Sequence, residues 1–341
     1  MSAKKLGKRT YFFTNPPSVL ASACTGGKKE SEGPLRAEFD ILNDDSLFGK
    51  SSWEKAESEM QRLTLERALI KAERSPAAVD FLFAGDLQSQ CTASTFGNCE
   101  AGIPFFGLYG ACSAMSEGLA LAAMSIDGGF ADSAAAITSS HFCSAERQFR
   151  FPLEYGGQRA PTSQWTVTGS GAVVLGQKTM PPYVTGFTSG KLIDAGIKDA
   201  ANMGAAMAPA AVDTLLAHFE DTGRTPDYYD LIVTGDLGKL GSEIVTDMLL
   251  AAGHNATAVY NDCGLLVFDL EEQDVLSGGS GCGCSAVVLA GYLLNKLRHG
   301  EINRLLFAAT GAMLSAVSTQ QGESIPSICY AVSIENTIPK R

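Results

Sequence analysis

Cys112 stands in the stretch Leu108-Tyr109-Gly110-Ala111-Cys112-Ser113-Ala114-Met115. An extended apolar run, Ile103 to Leu108, precedes it, and a small-residue helical segment, Ala114 to Met124, follows. The chain therefore runs strand, tight Gly-Ala bend, cysteine, helix. A cysteine so placed meets unpaired amide N–H groups and the positive end of a helix dipole. Both favour thiolate over thiol, which predicts a depressed pKa. Its neighbours Gly110, Ala111, Ser113 and Ala114 are small, so backbone and ligand can approach the sulfur. The plain alternative is a packing cysteine at a crowded helix start.

Positioning such a residue requires a covered sheet. Val79 to Ala84 is a continuous apolar run ended by Gly85-Asp86-Leu87, and Ala134 to Thr138 is another, ended by Ser139-Ser140-His141. Two-sided apolar strands of this kind predict a parallel sheet with helices on both faces. The spacing predicts a helix from Trp53 to Arg74, with Trp53, Ala56, Met60, Leu63, Leu65, Leu69 and Ala72 as its apolar stripe. Residues 88–100 read as a loop or short helix. Residues 142–165 read as a long irregular segment, a length that usually signals function or disorder. The strand Gly171 to Gly176 closes this half.

The second half repeats the first. Ser75 to Leu87 matches Thr225 to Leu237 position by position at an offset of 150. Each copy follows a helix, the second predicted over Ala205–Phe219. Each is followed by a Cys-Ser-Ala that opens another helix, at Cys112 and at Cys284, and then by a strand, the second at Arg304–Ala309. Two copies of a β/α unit imply two related sheets packed together. Ligands in such sheets bind beyond the carboxyl ends of the strands. Asp86, Asp236, Cys112, Cys284, His141 and Gly311 all fall there.

Bulk composition narrows the function. With 341 residues, 45% hydrophobic and 18% charged, the chain is an ordinary globular one. A net charge of −11 with no broad basic face argues against nucleic acid. The basic residues at the start, Lys4, Lys5, Lys8 and Arg9, are too sparse to hold a membrane alone. No apolar run is long enough to span a bilayer, and no secretory leader is expected. Nine cysteines, an odd number in apolar or glycine-rich segments, predict free thiols in a reducing compartment. With no CxxC pair and four histidines, no zinc site is expected.

Ala111-Cys112-Ser113-Ala114 resembles the nucleophile segment of the ketoacyl synthase III branch of the thiolase fold. Thr168 to Gly176 is similar to that branch's closing strand of the first half. Gly107 to Ser113, Thr138 to His141, Glu146 to Arg150, Glu154 to Gln158, Thr166 to Gly171, Met203 to Ala211, Gly278 to Ser285 and Ala308 to Ala312 together resemble the stage V sporulation AD family of spore-forming Firmicutes. The resemblance implies an α/β, thiolase-like fold of two pseudo-twofold-related βαβαβ halves, residues 1–180 with Cys112 and residues 181–341. Their packed mixed sheets would be layered α-β-α-β-α. It further implies binding of dipicolinic acid (pyridine-2,6-dicarboxylate), taken up into the developing spore and released at germination. The implied partners are membrane proteins of the same uptake system, with the chain in the forespore cytoplasm or peripheral on the spore inner membrane. A homodimer is implied, which a monomeric mass in light scattering would contradict.

A condensing enzyme of this fold needs, beside its cysteine, a histidine and an asparagine or second histidine to manage decarboxylation and the oxyanion. Thr234-Gly235-Asp236 stands where the histidine should fall, and Cys282 stands nearest the asparagine's register. The reading is therefore a non-catalytic binding protein without metal or cofactor of its own. The alternative is a ketoacyl-synthase-like acyltransferase using Cys112 as nucleophile. A flat aromatic dianion needs N–H groups, hydroxyls or guanidinium forks. The expected ligand-binding set is Asp86, Cys112, Ser140, His141, Arg147, Arg150, Thr168 and Cys282. In it Cys112 acts as a neutral weak donor and Arg147 and Arg150 are the candidate cations. Asp86 orients donors, holds a proton, or meets a calcium ion carried with the ligand.

Overall fold

The computed structural model describes residues 4–149 and 159–339. Ten strands form the backbone of one large sheet: β1 Ser18–Gly26, β2 Phe81–Gly85, β3 Phe105–Leu108, β4 Ser133–Ser140, β5 Gly169–Gly176, β6 Tyr183–Thr188, β7 Leu231–Thr234, β8 Tyr260–Asp262, β9 Arg304–Ala312 and β10 Ser327–Glu335. Their order is β3-β2-β4-β5-β1, then β6-β10-β9-β7-β8. The second group mirrors the first strand for strand. The two groups meet at one residue pair, Ser18 opposite Tyr183. The 150-residue offset is visible here, since β2 begins at Phe81 and β7 at Leu231.

Direction differs from the parallel sheets expected from the apolar runs. β2 is parallel to β3 and β4, and β7 to β8 and β9. β5 runs antiparallel to both β4 and β1, and β10 antiparallel to β9 and β6. Every residue of β4 and β5 is buried. A continuous apolar pattern reports cover on both faces, and that cover is the same for either strand direction.

The cover comes in layers. Helix α1, Trp53–Lys71, begins at Ser52, whose hydroxyl accepts the Lys55 N–H, and lies on the outer face of the first group. Helix α2, Ala114–Asp127, packs against strands of both groups. Its buried face is Ala114, Met115, Gly118, Leu119, Ala122 and Ala123, and these mostly small residues let both sheets approach. The next stretch, read from sequence as irregular, begins with helix α3, Phe142–Phe149. Helix α4, Met203–Thr222, starts at Asn202, whose side chain accepts the Ala205 N–H, and covers the outer face of the second group. Helix α5, Cys282–Val287, continues through a π turn and joins α2 in the middle layer. Among the described residues no helix is long and apolar enough to cross a membrane.

Candidate functional site

The bend before Cys112 has the predicted order but a different division of labour. Ala111 takes the left-handed conformation, φ 49°, while Gly110 stays at φ −77°. A non-glycine residue held there costs about 1–2 kcal/mol, so the packing around it must fix the shape. Gly110 is needed for space: a Cβ on it would lie 2.4 Å from Glu117 Oε2 and 2.7 Å from Ser113 Oγ. Ser113 Oγ donates back to the Gly110 carbonyl at 2.6 Å, tying the turn. Residues 111–113 form a single 3₁₀ turn ahead of α2.

Three residues of the second repeat close around the sulfur. Asp236, beyond β7, and Cys282, at the start of α5, are both fully buried. Gly311 on β9 presses against the Gly110 carbonyl. Asp236 is held by the Gly281 N–H at 2.9 Å and by the Thr310 hydroxyl at 3.4 Å. The Cys282 thiol donates to the Ala111 carbonyl at 3.0 Å. The Cys112 sulfur lies close to both Cys282 and Asp236.

This overturns the depressed pKa expected for Cys112. The hydrogen bond with Cys282, burial, and the Asp236 charge push its thiol well above the usual range. A helix dipole contributes about 0.3–1 kcal/mol, too little against a buried carboxylate within hydrogen-bonding reach. Burial in turn lifts the Asp236 carboxyl to about 7, against the opposing hydrogen bonds from Cys112 and Gly281. The site thus holds a protonated sulfur and a carboxyl that titrates near neutrality.

Cys112 and Asp236 lie in the floor of a cavity of about 760 Å³. Its walls come from both repeats: Asp86 to Cys91, Tyr109, α3, Arg159 and Gln164 on one side, and Met203, Met207, Asp236, Gly281 and Ala312 to Val317 on the other. Asp86 and Cys112 are in the lining. Asp86 already accepts from the Gln88 N–H at 2.8 Å, the Ser94 N–H at 2.8 Å and the Ser94 hydroxyl at 2.6 Å. Cys282 touches the sulfur from behind.

The other expected contacts lie elsewhere. The Ser140 hydroxyl donates to the Val167 carbonyl at 2.6 Å and accepts the Gly283 N–H at 3.0 Å, binding the two repeats together. His141 faces the Ser46 carbonyl through Nε2 at 2.8 Å and accepts the Cys143 N–H at Nδ1, and burial holds its pKa below the ordinary value. Thr168 accepts the Phe142 N–H at 3.1 Å. None of these three is in the cavity lining. Arg147 pairs with Glu54, lies over the Trp53 ring at 5.2 Å, and lines a separate pocket of about 300 Å³. Arg150 lies outside the described residues.

Two groups escaped the sequence reading. Arg159 lies within the long segment that was singled out, but nothing in its local pattern turns it inward. Glu57, on α1, is fully buried behind the cavity wall, accepting from Gln88 Nε2 at 2.7 Å, Ser139 Oγ at 2.8 Å and Ser144 Oγ at 2.9 Å. Burial and the neighbouring Asp86 charge push its carboxyl up. The signal was the polar trio Glu57, Gln61 and Thr64 at helical spacing beside the apolar stripe. Among the described residues no cluster of three or more His, Cys, Asp or Glu is placed to hold a metal ion.

The architecture matches solved condensing enzymes. It aligns with 3-oxoacyl-[acyl-carrier-protein] synthase III from Aquifex aeolicus at a TM-score of 0.58 and 13% identity, covering 94% of this chain and 99% of that one. A variant of OleA from Xanthomonas campestris aligns at a TM-score of 0.62 and 15% identity, covering 95% of this chain and all of that one. At such identities the likeness is one of fold. In sequence the chain is 45% identical over 332 residues to Stage V sporulation protein AD of Bacillus subtilis (strain 168), covering 97% of this chain and 98% of that protein. The family model for Stage V sporulation protein AD matches residues 7–335. A sporulation protein on a thiolase-like scaffold is thus what the chain encodes: it belongs to the Stage V sporulation protein AD family.

Proposed function

We propose that this protein binds dipicolinic acid in the cavity above Cys112, without catalysis, and so supports its uptake into the forespore and its release at germination. The observation that carries the reading is the surroundings of Cys112. A carboxyl and a second thiol flank the sulfur, and neither is the histidine or the asparagine that the resemblance to condensing enzymes calls for beside it. An aspartate beside a developing oxyanion opposes it, and losing even one oxyanion donor typically costs about 10²–10³ in rate. What survives is a cavity of about 760 Å³, within the usual range for small-molecule sites. Family membership in a sporulation protein supports the physiological part. Placement at the spore inner membrane would come through membrane proteins of the uptake system, and cytosolic fractionation of the native protein away from spore membranes would contradict it.

Calorimetry with dipicolinate tests the reading. Binding at millimolar ligand or below is expected, together with no mass shift at Cys112 on incubation with acyl-CoA. A thioester on Cys112 and no heat with dipicolinate would favour the acyltransferase instead. The pH dependence has a fixed sign. Asp236 titrates at about 7 in the free protein, and an incoming anion favours its protonated form further. Affinity should therefore rise as pH falls from 8 to 6, with proton uptake on binding.

Homodimerisation is proposed on a separate observation. β3 is an edge strand whose Phe105 and Phe106 are exposed, beside exposed Tyr109. An exposed aromatic edge of this kind is a pairing surface. Light scattering should give twice the chain mass, and Phe106→Asp should halve it.

A further inference from the structure

We propose that Arg159 is the cation that receives a ligand carboxylate in this cavity, in exchange for Glu146, an assignment that rests on the cavity being a dipicolinate site. Among the described residues Arg159 is the only lysine or arginine in the lining, against three carboxyl residues, Asp86, Glu146 and Asp236. Among the described residues a dianion entering such a wall has one place to put a charge-assisted pair.

The geometry presents a fork ready for it. The Phe142 and Trp165 rings stack at 3.9 Å and 8°. The Arg159 guanidinium carbon lies 4.8 Å from the Trp165 centroid and 5.5 Å from that of Phe142. Nη2 donates to the Gln164 carbonyl at 3.0 Å and meets Glu146 Oε1 at 3.2 Å. Aromatic contact and a backbone carbonyl fix the plane of the guanidinium, so little order is lost when a new carboxylate arrives. Glu146 is a side chain on α3, 15% exposed, and the exchange requires the ligand carboxylate to take its place on the fork. The swap trades one carboxylate for another, so the arginine never stands uncompensated in a half-buried place. Glu146 then acts as a competitor that keeps the arginine paired while the cavity is empty.

The test is calorimetry with dipicolinate and with picolinate, which has a single carboxylate. Arg159→Gln should weaken dipicolinate on the order of tenfold to a hundredfold, the scale of a charge-assisted hydrogen bond. Arg159→Lys should recover only part of that, since an ammonium lacks the planar fork. Glu146→Gln removes the competitor and should tighten dipicolinate severalfold. If Arg159 merely props the aromatic stack, Glu146→Gln weakens binding or leaves it unchanged, and the assignment falls. It falls as well if Arg159→Gln binds like the wild type while the wild type binds well. A wild type that ignores both compounds removes the dipicolinate reading and this assignment with it. Should Arg159→Gln fail to fold, the opposite sign expected for Glu146→Gln still decides.

Discussion

Asp236→Asn should accelerate alkylation of Cys112 by iodoacetamide severalfold at pH 7.5, because removing a charge that raises the thiol pKa enlarges the reactive thiolate fraction. The wild-type sulfur is held protonated by its bond with Cys282, by burial and by the Asp236 charge. At pH 7.5 Asp236, with its carboxyl lifted to about 7, is mostly ionised and the charge is felt. Asparagine keeps the shape, still accepts from Gly281 and Thr310, and removes the charge. Cys99 is exposed and will react in both proteins, so the rate must be read on the Cys112 peptide by mass spectrometry. The same variant should lose the pH dependence of dipicolinate binding. A Cys112 rate that stays the same or falls would mean that the carboxylate is not what silences the sulfur.

The largest structural effect is expected at Gly311. A Cβ there would sit 2.1 Å from the Gly110 carbonyl oxygen and 3.0 Å from the Ser113 nitrogen. Both are backbone atoms of the Cys112 turn, and Gly110 is itself hemmed in by Glu117 and Ser113. The Gly311 backbone lies in β9 and makes no special conformational demand, so the glycine is there for clearance. Gly311→Val must push the turn off the strand and should cost about 3 kcal/mol or more. For a chain of 341 residues that corresponds to a fall in Tm of roughly 4 °C. Gly311→Ala should show a smaller shift of the same sign. A valine variant melting with the wild type would mean that the turn has slack, and that the sulfur is not held as tightly as its contacts imply.

Local patterns carried the scaffold well. The repeat between Phe81 and Leu231 was legible because each copy keeps the same punctuation, Ser/Thr-Pro before the strand and Gly-Asp-Leu after it. The strand-bend-helix around Cys112 was legible for the same reason. Strand direction was not, because β5 and β10 are covered on both faces like their parallel neighbours. The state of the thiol was not, because it depends on Asp236 and Cys282, which only the fold brings near. Ser140 and His141 have the chemistry of ligand contacts, yet their partners are Val167, Gly283 and Ser46, supplied by distant segments. Arg147 and Arg159 share one stretch of sequence. The Phe142–Trp165 stack and Glu146 set one against the cavity, while Trp53 and Glu54 draw the other away.

The floor and walls of the cavity are shared between the two repeats, which meet along the sheet at a single residue pair and elsewhere through the helices of the middle layer. Anything seated there works as a rivet through the molecule. Occupancy is then felt as added cohesion: a ligand supplies further contacts across a seam that α2, α5 and the Ser140–Gly283 hydrogen bond already hold. A partner gripping both repeats would sense the contents by stiffness alone, with the cargo still inside.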